Sequence, residues 1–117
     1  MAETTLGSKG YVPTVTGSYV TVLTVPAGYH CKINYFFCAA GGAVTVDARW
    51  SDGADYGFLK GKNLNAGDIV EFGGNGKYLI MTDGETIDIQ CSTTAATFII
   101  SYELYLAPTS NIVLWQI

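Results

Sequence analysis

From Ser18 onward the chain alternates apolar and polar residues in short runs, each closed by a cluster of Gly, Pro, Asn or Asp. That period of two is the signature of half-buried strands rather than helices. Ser18–Ala40 reads SYVTVLTVPAGYHCKINYFFCAA. It places two β-branched and aromatic runs around Pro26 and Gly28 and predicts two strands meeting at a hairpin or corner. In the second run Cys31, Ile33, Tyr35 and Phe37 share one face, and His30, Lys32, Asn34 and Phe36 the other. Further on, AVTVDARW sets Val44, Val46, Ala48 and Trp50 inward, with Thr45, Asp47 and Arg49 outward. Short strands follow at Tyr56–Lys60, Ile69–Phe72, Lys77–Met81 and Thr86–Cys91. A long one at Thr97–Ala107 turns Phe98, Ile100, Tyr102, Leu104 and Leu106 to one side. SDGAD at 51–55, GGNG at 73–76 and TDGE at 82–85 are turn sequences, and GKNLNAGD at 61–68 reads as a loop. Eight or nine strands with no helical period predict an all-β chain, a single antiparallel β-sandwich of jelly-roll type.

The ends differ from this pattern. Residues 1–10 are polar and glycine-rich, and Pro13 limits Tyr11–Thr16 to an edge strand, so residues 1–17 read as an N-terminal arm with an edge strand. Residues 18–107 form the sandwich domain. Residues 108–117, PTSNIVLWQI, form an apolar C-terminal arm behind a proline and a polar link. Burying Ile112, Val113, Leu114, Trp115 and Ile117 contributes ~10 kcal/mol, and ordering the segment costs a comparable amount. The arm therefore gains by pairing in a sheet, its own or a neighbour's.

A chain of 117 residues fits one domain that can bury a core unaided. Hydrophobic residues make up 49% and charged residues 14%, roughly half the usual charged share, which describes a chain that spends its life partly covered. Six basic residues and a net charge of −4 argue against a nucleic-acid partner. No apolar stretch is long enough to span a bilayer, and MAETTLGSKG lacks a signal-peptide pattern, so the expectation is cytoplasmic synthesis and no membrane partner. Cys31 and Cys38, seven apart in one strand, lie about 23 Å from each other on opposite faces and cannot pair. Buried free thiols are the expected state for all three cysteines, with a Cys31–Cys91 bridge left open.

Candidate chemistry is sparse. His30, the sole histidine, has no Ser, Asp or second ligand in sight, which excludes a histidine-cluster metal site. GGNGKY at 73–78 lacks the spacing and following helix of a phosphate loop and reads as a hairpin turn. Asp52 and Asp55 supply two carboxylates where a calcium site takes several. Asp47, Asp88 and Glu103 fall on outward strand faces and make no acid–base pair. Trp50, Tyr56, Phe58 and Tyr78, all near turns, are the one set suited to stacking against sugars, against the plainer role of core packing. No catalytic residue, metal site or cofactor is predicted, and the chain reads as a non-enzyme.

LTVPAG at 23–28 with its Tyr/Phe-rich strand, YGFLKG at 56–61, LNAGD at 64–68, FGGNGKYL at 72–79 and DGETIDI at 83–89 together resemble small β-sandwich virion proteins of tailed bacteriophages. Such domains serve as capsid decoration (cement) proteins or as head and tail fibre modules. The resemblance covers about residues 18–106 and rests on turn signals. It implies a virion structural protein, made in the host cytoplasm, that binds the major capsid protein as a homo-oligomer, a trimer being favoured. The alternative is a fibre module for a host receptor or glycan. The arms are the candidate contacts: Thr4, Thr5 and Leu6 at one end, and Ile112, Val113, Leu114, Trp115 and Ile117 at the other.

Overall fold

The computed structural model describes residues 4–107. It holds nine strands: β1 Thr4–Tyr11, β2 Val20–Thr24, β3 Tyr29–Ala40, β4 Val44–Ser51, β5 Asp55–Leu64, β6 Ile69–Gly73, β7 Leu79–Met81, β8 Thr86–Cys91 and β9 Ala96–Leu106. The pairings nest. β4 pairs with β5 across the turn at 52–54, β3 with β6 and β7, β2 with β8, and β1 with β9, all antiparallel. The chain is thus one long hairpin doubled back at its middle and rolled up, the jelly-roll arrangement. Lateral pairing of β3 with β9 and of β4 with β8 completes a first sheet in the order β1-β9-β3-β6, with β7 also on β3, and a second in the order β2-β8-β4-β5.

Consequently Pro26–Gly28 is a corner rather than a hairpin: β2 and β3 lie in different sheets. Gly28 takes φ +82°, and the Tyr29 amide donates to the Pro26 carbonyl at 3.1 Å, so the chain turns from one sheet to the other within three residues.

Between the sheets lies the core. Phe36, Cys38, Phe98 and Ile100 from the first sheet meet Val44, Val46, Ala48, Ile87, Ile89 and Cys91 from the second, all buried. The inward face of β9 and that of β4 are as the alternation predicts. β3 is not. A bulge between Ile33 and Tyr35 inserts one residue against β9 and reverses the phase of everything after it. Cys31 and Ile33 point inward, but beyond the bulge it is Phe36, Cys38 and Ala40 that are buried, not Tyr35 and Phe37. For the same reason Cys31 and Cys38 both face inward. All three cysteines are free and buried, and burial pushes the thiols of Cys31 and Cys91 up to about 11 and that of Cys38 to about 12.

Two further strands depart from the sequence expectation. The N-terminal edge strand occupies Thr4–Tyr11 rather than 11–16, because β9 offers a continuous ladder from Phe98 to Tyr105 that even a glycine-rich segment can join. β5 runs on to Leu64, through Gly61–Leu64 where a loop was expected. Bulges against β4 absorb the extra residues, and the Gly61 amide donates to Asp47 at 2.6 Å.

The outer faces contrast. On the second sheet Asp88 is only 5% exposed, held by the Thr21 hydroxyl at 2.7 Å and by Arg49 Nε at 3.0 Å. Arg49 also reaches Asp55 at 3.3 Å and lies over the Tyr19 ring. On the first sheet, register aligns Leu6, Glu103, Lys32 and Ile80 in one row, and Ile99, Phe37 and Glu71 in another, with Ile69 beyond. Leu6 is 75% exposed and Ile69 57%, and Ile80 and Ile99 are also exposed.

Candidate functional site: an aromatic cleft at the open side of the sandwich

Among the described residues the sandwich does not close between β5 and the line of β6 and β7. β6 pairs with β3 from Tyr35 to Ala39 and β7 from Cys31 to Ile33, so the strand opposite β3 is broken where β3 bulges at Asn34. Gly73 makes the break possible. Its φ is +98°, and a Cβ there would sit 2.3 Å from the Asn34 carbonyl oxygen, a position no other residue can take without moving backbone. The Gly74 amide then donates to that same carbonyl at 3.0 Å, and Asn75 at φ 51° and Gly76 complete the reversal. GGNGKY is therefore a turn, as its composition predicted, but not the hairpin expected: β6 and β7 both pair with β3 and run in the same direction, so the turn loops out of one strand line.

This looped-out turn carries Lys77 and Tyr78 to the rim of a cleft of about 350 Å³. Its floor is core: Ile33, Phe36 and Ile87. Its walls are Trp50, Tyr56, Phe58, Phe72, Tyr78 and Leu79. The rings support one another, Trp50 with Tyr56 at 5.0 Å between centroids, Phe58 edge-on to Phe72 at 4.9 Å, and Phe36 stacked on Phe72 at 4.9 Å. Phe58 reaches this cluster because a bulge places it between Gly57, opposite Arg49, and Leu59, opposite Ala48. Lys32 Nζ sits 4.5 Å above the Tyr78 ring.

Polar groups around the cleft are already committed. Trp50 Nε1 donates to Glu85 at 2.9 Å, and the Thr82 amide and hydroxyl donate to the same carboxylate. Partial burial raises the Glu85 pKa, but these bonds outweigh it and hold the group below its ordinary value. The Tyr35 hydroxyl donates to Glu71, which keeps the phenol protonated above its usual range. The cleft offers mainly apolar and aromatic contact, with the Lys77 ammonium at its rim.

All four aromatics singled out in the sequence, Trp50, Tyr56, Phe58 and Tyr78, converge here. Phe36, Phe72, Ile33 and Leu79 complete the cleft and were not legible as site residues, because nothing in the sequence marks the bulge at Asn34 that turns Phe36 inward. The other candidates stand apart. Thr4, Thr5 and Leu6 lie on β1, an open edge of the first sheet, opposite Tyr105, Leu104 and Glu103. Ile112, Val113, Leu114, Trp115 and Ile117 lie outside the described residues. His30 is on β3 beside Tyr105, its ring edge-on at 5.8 Å. Asp52 receives the Ala54 amide, and Asp55 pairs with Arg49. Among the described residues no three His, Cys, Asp or Glu side chains gather in a way that holds a metal ion.

No family model matches the chain, and no curated protein matches it. Among solved structures, a chain of Bacillus endospore appendages, described as a novel family of disulfide-linked pili, is similar over 92% of this chain and 89% of its own. It shares 12% identity with a TM-score of 0.44. A likeness that distant says nothing of what this chain does.

Proposed function

We propose that the protein is a non-enzymatic structural subunit of a virion, one that binds and stabilises a phage capsid shell as a homo-oligomeric decoration protein. The observation that carries this reading is the asymmetry of the two outer faces. The second sheet is finished with a polar network centred on Asp88, whereas the first presents Leu6, Ile69, Ile80 and Ile99 to solvent. Four exposed aliphatic side chains on one face of a weakly charged domain, set around the Lys32–Glu103 pair, make a surface suited to being covered. The phage-protein resemblance of residues 18–106 agrees with it. A subunit that binds the assembled shell and not its dissociated parts stabilises the shell by mass action.

The test is binding of the full chain to undecorated shells, with Ile69→Asp and Ile99→Asp as variants. Both sites are exposed, so the fold tolerates them. Loss of binding by at least about 10-fold with an unchanged melting temperature supports the reading. Undiminished binding by both variants, or no binding by the parent chain, overturns it.

A second reading, a fibre module that binds a host glycan, is favoured by the convergence of Trp50, Tyr56, Phe58 and Tyr78. A glycan array that shows binding abolished by Tyr56→Ala would move the function from the sheet face to the cleft.

A further inference from the structure

We infer that the aromatic cleft is the socket for residues 108–117 of a second copy, so that copies join head to tail with Trp115 as the knob. The inference goes beyond the shell-binding reading and holds whatever particle the copies belong to. At about 350 Å³ the cleft is near the lower end of the ~300–1,000 Å³ range of ligand sites, room for one or two large side chains and not for a helix. Its lining is mainly apolar and aromatic: Glu85 and Tyr35 beside it are bonded within the chain, and Lys77 with the Tyr56 and Tyr78 hydroxyls supplies the polar groups at the rim. The ten residues that follow Ala107 contain no charge and end in IVLWQI, where Val113, Trp115 and Ile117 share one face of an extended strand. Trp is the side chain that most often fills such pockets at interfaces.

Direction favours a second copy, since a tail that entered its own cleft would have to reverse after Ala107 and cross β3, whereas a second copy's tail can enter extended. β9 runs antiparallel to β3, so its last residues stand beside Tyr29, and the Ala107 amide donates to Gly28 at the end of the sandwich. The chain is then heading away from the cleft, which lies back along β3 at Ile33 to Phe36 and on the far side of it from β9. On the receiving side β5 is the outermost strand of its sheet among the described residues, with an edge along Tyr56–Phe58 on which an extended segment can pair while its side chains enter the cleft.

The experiment uses two full-length variants and sedimentation equilibrium. Trp115→Ala removes the knob and leaves the socket. Tyr56→Ala with Phe58→Ala spoils the socket and leaves the knob, at positions exposed enough to spare the fold, which circular dichroism verifies. The parent chain self-associates, each variant alone weakens association by at least about 30-fold, and an equimolar mixture forms a 1:1 pair, because one variant supplies the socket and the other the knob. A parent chain that stays monomeric, variants that associate like the parent, or a mixture that does not pair each overturns the inference. A tail that docks in its own cleft gives the first of these results, and shell binding lost through Ile69 and Ile99 is independent of all of them.

Discussion

The middle of the sandwich and its open side are built from the same kinds of residue and do opposite things. Phe98, Ile89, Val46 and Ala48 are inward-facing, apolar and buried between the two sheets. Trp50, Tyr56 and Phe58 are just as apolar, yet Tyr56 is 49% exposed, because the strand that would cover them is split into β6 and β7. An alternating pattern specifies a face that wants burial, and whether the fold or a partner buries it depends on a neighbouring strand. The difference between sealed core and open cleft here is a matter of one bulge and one glycine.

The largest expected effect comes from the sealed region. Phe98→Ala removes a ring packed at 5.9 Å from Phe36 and should cost about 3–5 kcal/mol in urea unfolding, since the surrounding strands cannot collapse into the gap. A cost below ~1 kcal/mol would mean the middle is as loose as the mouth. Next is Gly73→Ala, at the point where the two regions part. Left-handed backbone strain and the clash with the Asn34 carbonyl together cost about 2–4 kcal/mol, and the cleft should lose its shape along with the stability.

A smaller effect is expected from alkali. The three thiols are held neutral in the folded chain to about 11–12, whereas in the unfolded chain they ionise near 9.0. The stability this represents is fully present below 9.0 and is lost as pH rises through that value toward the folded pKa values. Urea midpoints should fall as pH rises from about 9 toward about 11, and less so in Cys38→Ala relative to its own value at the lower pH. In the native state at neutral pH a thiol reagent should label none of the three until the chain unfolds. The smallest effect belongs to the rim. Tyr78 is exposed, so Tyr78→Ala should change stability by less than ~0.5 kcal/mol while weakening whatever the cleft holds. A large destabilisation would show that the rim is part of the core after all.

Much of this molecule was legible from its residues. The all-β class follows from the period of two, which no helix can satisfy. The inward faces of β4 and β9, the turns at 51–55, 73–76 and 82–85, and the buried thiols follow from alternation, from residues able to take positive φ, and from the lack of any charged or metal partner for sulfur. The four aromatics of the cleft were visible as a set near turns. Tertiary structure alone decided the rest. That Pro26–Gly28 is a corner, that Thr4–Tyr11 is a strand, and that β5 continues past Gly61 all depend on which ladder lies alongside, and a ladder partner is remote in sequence. The phase of β3 after Asn34, and with it the burial of Phe36 in place of Tyr35 and Phe37, depends on a bulge fixed by β9 and Gly73 together. Local alternation carries no information about a residue inserted between paired strands. For that physical reason the strands were readable one by one, while the open side between them was not.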